Sequence, residues 1–428
     1  MQNPNFFSQP KVGKTYHHST NLFGKFLFCS LVLPIALFTF GCNTKPQPEV
    51  KSAPTPEPAL VAEVPPKIST SEENINFTAT VQYNSLQDSE FSKQGLCVAK
   101  EKQTALLISA PIAITLDNPA PFLALSAKWS AVITPQAKLT ISLRASVNNN
   151  DWSEWQLSSL DGDPRTQAGL FFFPPTSKFM QYRVEMERDS KRISPLLKNI
   201  KFRFISPGTT PKEDLADLNN QAGGKITRRK SWYCPDAANT RPKLQRSKIT
   251  HLIMHHTATS NDAKDWPAMV RCIWNFHAET NGWRDLGYHF LIDPNGVIYE
   301  GRAGGENVIG SHFSCANSGT IGIAMLGNFM NESPSPKALK SLQSLLAREC
   351  YKLGLKPEAI NYHASTRLKL PVIAGHRDAN DAKVMSVCAG TKCPGDKLYA
   401  LLPEIRAGIK NIGFLDDSTE TSPYPFWR

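Results

Sequence analysis

No apolar run in this 428-residue sequence reaches the roughly 20 residues that a comfortable membrane-spanning helix needs. The longest, FLFCSLVLPIALFTFG at residues 26–41, stops short of it. Internal repeats are also lacking, which argues against a solenoid or propeller. Acidic residues are in deficit: 48 Lys and Arg stand against 37 Asp and Glu, giving a net charge of +11. That excess is diffuse. No basic run interleaves with aromatic residues as a nucleic-acid groove requires, so nucleic acid is not an expected partner. A basic surface does suit an anionic envelope, either lipid headgroups or an acidic wall polymer. What is present, 41% hydrophobic and 20% charged residues, is the balance of a soluble globular protein with room for two or three domains.

The short apolar run is itself informative. Lys11, Lys14 and Lys25 precede it, and Gly41-Cys42 closes it. Basic flank, short apolar core and small residue follow the order of an export signal. The stretch resembles a bacterial lipoprotein signal, in which Cys42 becomes the lipidated N-terminus. Thr39 and Phe40 depart from that pattern, and an uncleaved N-terminal anchor over residues 1–42 is the alternative. Both readings place the rest of the chain outside the cytoplasm, anchored to a membrane of the bacterial cell envelope. Residues 43–74 are proline-rich at their start and read as an extended tether. In an oxidising compartment the seven cysteines beyond the tether permit three disulfides and one remaining thiol.

Residues 75–206 alternate polar and apolar at period two, as in AKLTISLRASV and FMQYRVEMER, with turn residues such as NNND between. This pattern predicts an all-β sandwich. It looks like a jelly-roll, galactose-binding-like accessory module. Trp152 and Trp155 either stack on sugar rings or close the rim of the sandwich, and no catalytic constellation stands out in this segment. Residues 207–230 read as a linker with a short helix around KEDLADLNNQAG.

From 231 to 414 the pattern changes to alternating strands and helices, a mixed-sheet α/β domain, followed by a tail over 415–428. KITHLIMHH, TIGIAMLG and LPVIAG read as buried strands, and GYHFLIDPNGVIYEG as a hairpin about Asn295-Gly296. DWPAMVRCIWNFHAET reads as a helix capped by Asp265 with Met269, Val270, Ile273, Trp274 and His277 on its apolar face. SPKALKSLQSLLARECYKLG reads as a second, capped by Ser335, and KLYALLPEIRAGIKNI as a third. Eight of the ten histidines fall between His251 and His376. His255 and His376 each end a predicted strand, where α/β folds build their sites. Two imidazoles and a cysteine thiolate make three ligands, which suits a zinc ion with one position left open. Zinc fingers close all four positions with paired cysteines, and that spacing is absent.

The motifs THLIMHHTATSND, VRCIWNFHAETNGWRDLGYHFLIDPNGVIYEGRAGG, IGSHFSCANSGTIGIAMLGNF, AGHRD and TKCPGDKLYALLP occur in the order seen in peptidoglycan-recognition proteins and zinc N-acetylmuramoyl-L-alanine amidases, which this region resembles. RRKSWYCPD is similar to the usual Arg-x-x-Trp opening of that domain. The resemblance implies hydrolysis of the amide between N-acetylmuramic acid and L-alanine in peptidoglycan. It implies zinc ligands at His255, His376 and Cys393, and a water-orienting or oxyanion-binding role for Tyr288. A further donor is implied at Thr391, with Lys392 as the competing choice. His312 is expected to line the substrate groove, and Arg302 to take the stem-peptide carboxylates. His256 is expected to support the strand, and His289 to be either near the site or in the core. Cys388 lies in a longer gap than usual before Cys393 and is expected to be tied in a disulfide.

The rival function is a non-catalytic peptidoglycan receptor. Receptors of this kind commonly carry serine at the third ligand, whereas this chain has Cys393.

Overall fold

The computed structural model describes residues 65–116, 121–157, 168–221, 223–235, 244–283, 285–314, 316–381 and 391–411. The segments expected to be the export signal and most of the tether lie outside this set, as do Cys315, Cys388 with its expected disulfide, and the tail. Among the described residues no helix is long and apolar enough to cross a membrane.

Alternation builds the first layer pair. In Phe179–Glu187, Met180, Tyr182, Val184 and Met186 are buried while Arg183, Glu185 and Glu187 point outward. Two antiparallel sheets result. One runs Ser89–Ser92, Gly95–Val98, Leu196–Ser206, Leu123–Val132, Ala168–Phe173, and the other is built around Phe179–Glu187. Leu125, Phe171, Phe202 and Phe204 from the first share a core with Leu107, Leu143 and Val184 from the second.

The tether ends earlier than residue 74, because Ser69–Asn76 pairs antiparallel with Leu196–Ser206 from Ser69↔Ser206 to Asn76↔Asn199. This strand has one apolar side chain, Ile75, so no hydrophobic period announces it. Trp152 and Trp155 are half-buried against arginine. The Arg144 guanidinium lies 4.9 Å from one ring and 4.4 Å from the other, and Arg183 is 4.9 Å from Trp155.

The second region is a six-stranded mixed sheet in the order Ile226–Thr227, Ile298–Glu300, Phe290–Ile292, Thr320–Met325, His251–His256, Ile373–Gly375. Its neighbours are parallel except the hairpin pair Phe290–Ile292 and Ile298–Glu300. The helices Pro336–Leu353 and Asp396–Asn411 pack on one face through Leu342, Leu345, Leu346, Leu398 and Leu402. Ser335 accepts the Ala338 N–H at 3.1 Å and caps the first of these.

The third helix, Trp266–Asn275, is capped by Asp265 but has no exposed face: all ten of its residues are buried. A helix buried all round needs a second cover. That cover is the sandwich, whose Ala124, Ala168, Leu170 and Ile205 join Trp232, Trp266, Ile273 and Trp274 in one cluster. Arg271, which the sequence presents as a polar interruption, is wholly buried. It donates to the carbonyls of Pro207 (2.8 Å), Gly208 (2.8 Å) and Trp232 (3.1 Å) and to the Thr210 hydroxyl (3.1 Å). The expected linker is thus stapled to the helix over its first residues.

The expectation of three disulfides does not hold. Cys97, Cys272 and Cys350 are free thiols, the last two on the buried faces of the helices Trp266–Asn275 and Pro336–Leu353. Burial pushes the Cys350 thiol up to about 12, so it stays protonated and inert.

Candidate metal centre

Parallel pairing decides what meets at the sheet's end. His255 lies at the close of the strand His251–His256, and His376 directly follows the adjoining edge strand Ile373–Gly375. Cys393 arrives from the segment before the Asp396–Asn411 helix, which is tightly held. Arg377 N–H donates to the Cys393 carbonyl at 3.0 Å, and its guanidinium pairs with Asp396 at 2.7 Å. Asn380 donates to the Thr391 carbonyl at 3.0 Å. Gly395 makes the approach possible: at φ +92°, a Cβ there would sit 2.4 Å from the Phe329 backbone.

The ligating atoms of His255, His376 and Cys393 all lie within 4.8 Å of one another. The Cys393 Sγ is 3.6 Å from His255 Nδ1. Nitrogen and sulfur bound to one tetrahedral zinc lie about 3.6 Å apart, so this donor set fits the ion. The opposite nitrogen, His255 Nε2, is 3.0 Å from His312 Nδ1, and His312 Nε2 is 3.3 Å from the Thr320 hydroxyl. Burial first, then His376 and His312, hold His255 well below the usual histidine range, so it is neutral with a lone pair to give.

His312, expected to line a substrate groove, is 7% exposed and makes this contact with His255. It fits because residue 322 is glycine: a Cβ there would come within 2.4 Å of the His312 ring.

Tyr288 is half-buried, its ring 5.2 Å from that of His255. Thr391 Oγ1 accepts the Cys393 N–H at 3.0 Å, while Lys392 is exposed. His256 turns to the other side, its Nδ1 accepting the Phe329 N–H at 3.2 Å. His289 is a core residue bonded to the Val308 carbonyl at 2.7 Å and the Gly322 N–H at 3.0 Å. Arg302 is close enough to His277, His289 and His312 to help hold all three below the usual histidine range. It donates to the Leu286 carbonyl at 2.9 Å and lines a cavity of about 410 Å³ with Arg228, Glu300, Glu306, Arg348 and Lys352.

Sequence reasoning missed His277, which it placed on a helical stripe. After Asn275 the helix widens into a π turn, Phe276–Thr280. This sets the His277 ring 4.7 Å from Trp283 and 5.4 Å from Tyr288, with its Nδ1 accepting the Gly287 N–H at 3.1 Å. Burial pushes His277 down to about 3 and His289 to about 4, from an ordinary 6.5. Both are neutral when folded and bind protons more readily when unfolded. Their stabilisation is fully present above pH 6.5 and is lost as pH falls toward those lower values. Each is expected to lower the unfolding free energy by about 1.4 kcal/mol per pH unit in that window. Urea unfolding between pH 7 and 5 reads this slope, and His277→Gln, which can still accept the Gly287 N–H, is expected to make it shallower.

The sequence pattern of the N-acetylmuramoyl-L-alanine amidase family matches residues 245–396. Over 184 residues the chain is 32% identical to peptidoglycan recognition protein 1 of Bos indicus, spanning 42% of this chain and 84% of that protein. Over 178 residues it is 30% identical to the N-acetylmuramoyl-L-alanine amidase of Homo sapiens, spanning 40% of this chain and 27% of the human protein. Among solved structures, Drosophila peptidoglycan recognition protein SD is 27% identical with a TM-score of 0.34, covering 42% of this chain and 94% of that one.

Proposed function

This chain belongs to the peptidoglycan-recognition and N-acetylmuramoyl-L-alanine amidase family, and from that membership we propose that it is a zinc-dependent amidase cutting between N-acetylmuramic acid and L-alanine in peptidoglycan. One observation carries the choice of catalysis over binding alone. The third member of the ligand cluster is a buried sulfur 3.6 Å from His255 Nδ1, not a hydroxyl.

His255, His376 and Cys393 would hold the zinc, which when bound supplies a Lewis acid for the amide carbonyl and the attacking water. The remaining work falls to the chain's own groups. His312 fixes the tautomer and tilt of His255. Tyr288 presents its hydroxyl to the carbonyl oxygen as it gains charge, and Thr391 supplies a second donor beside the thiolate. Exposed Lys392 is the less favoured choice. Arg302, in its basic cavity, offers a fork for a carboxylate of the stem peptide. The sandwich is proposed to be a jelly-roll accessory module, and residues 1–42 to export the chain and anchor it in the envelope by a lipid or an uncleaved segment.

Digestion of isolated sacculi by the full chain tests the reading. Soluble peptide release is expected to stop on chelation and return with zinc. Tyr288→Phe is expected to lower kcat by about 100-fold or more with zinc content unchanged. Tight binding without release under any metal loading would favour the receptor reading.

A further inference from the structure

The π turn Phe276–Thr280 is an energetically poor continuation of a good helix, and such turns persist where the surroundings hold them. At its close it meets the sandwich. Ser126 Oγ and Thr280 Oγ1 share a hydrogen bond at 2.8 Å, and Lys128 Nζ donates to the Thr280 carbonyl at 2.9 Å. Both partners come from the strand Leu123–Val132. Arg203 on the adjoining strand lies 3.9 Å from the Glu279 carboxylate. At its start the turn carries His277, whose carbonyl accepts the Trp283 N–H at 2.9 Å and whose ring lies against Trp283 and Tyr288.

The structure assigns Ser126 and Lys128 the role of positioning residues for Tyr288. They fix the register of the π turn, the turn places His277 and Trp283, and those rings hold the tyrosine beside His255. Relaxation to a plain α-helix would rotate every residue after the turn by about 100° relative to the sheet. The sandwich, which shows no catalytic constellation among its described residues, therefore sets the geometry of the site. The kinetic consequence rests on the amidase reading, while the structural consequence does not.

The test uses the zinc-loaded full chain with the Ser126→Ala/Lys128→Ala double variant. The single Lys128→Ala change, at an exposed side chain, covers the case in which the double variant fails to fold. Hydrogen exchange is read on residues 276–283 and, as a control, on 336–353. Exchange in the first segment is expected to rise about tenfold with the control unchanged. On a soluble muramyl peptide, kcat is expected to fall roughly tenfold at constant KM, and Lys128→Arg to retain wild-type values. Unchanged exchange at 276–283, or a kcat loss matched by loss of folded protein, overturns the proposal. If the wild-type chain cleaves nothing, the amidase reading fails and the exchange result still decides the positioning role.

Discussion

Replacing Cys393 by serine is expected to strip the metal from the protein and with it the hydrolysis, while leaving the fold intact. His255 is held neutral, so with zinc bound the Cys393 sulfur would be the anionic donor beside His255 and His376. A serine hydroxyl stays protonated at neutral pH and is a harder, weaker donor for zinc. The side chain is 1% exposed and the two residues are close in size, so packing changes little. Losing a partner of a ligand lowers affinity by about 10–100-fold, and losing a ligand outright is expected to exceed that. Elemental analysis after dialysis should find zinc near one per wild-type chain and under a tenth of that in the variant. Retained zinc would move the third ligand to another residue, and Cys388, five residues earlier, would be the first to examine.

The largest effect on stability is expected at Arg229. It lies in the short helix Arg229–Trp232, where its guanidinium is 3.0 Å from Asp285, with the two side chains 8% and 6% exposed. It also donates to the Gly301 carbonyl. Asp285 in turn accepts from Trp274 Nε1 (3.2 Å) and from the N–H groups of Leu286 (2.9 Å) and Ala303 (2.9 Å). The pair ties the domain's opening segment to the loop that carries Tyr288. Arg229→Met leaves a buried carboxylate without its cation and is expected to destabilise by about 3–5 kcal/mol. Adding Asp285→Asn removes the stranded charge, so urea unfolding should show the double variant regaining part of the loss. A single variant within 1 kcal/mol of wild type, on the scale of an exposed pair, would show that the bridge is solvated.

Local chemistry made much of the α/β half legible. Asp265 and Ser335 mark helix starts through their side-chain acceptors, and Asn295-Gly296 marks the hairpin through a left-handed glycine at φ +87°. His255 and His376 stood out because a buried strand ends at each. What stayed hidden depends on contacts far apart in sequence. Five residues are too few to separate a π turn from an α-helix by periodicity, so His277 was read as part of a stripe. The His255–His312 bond depends on space above Gly322, which no local pattern reveals. The shared core of sandwich and helix was masked by Arg271, a charge that reads as a solvent face until its four acceptors are seen.

The most direct measurement is mass spectrometry of a purified muramyl peptide incubated with the zinc-loaded full chain. Two products are expected, a saccharide ending in free N-acetylmuramic acid and a peptide beginning with an L-alanine amine, and neither from Cys393→Ser. Recovery of the intact muramyl peptide from the zinc-loaded chain, or cleavage at any other bond, would contradict the amidase reading.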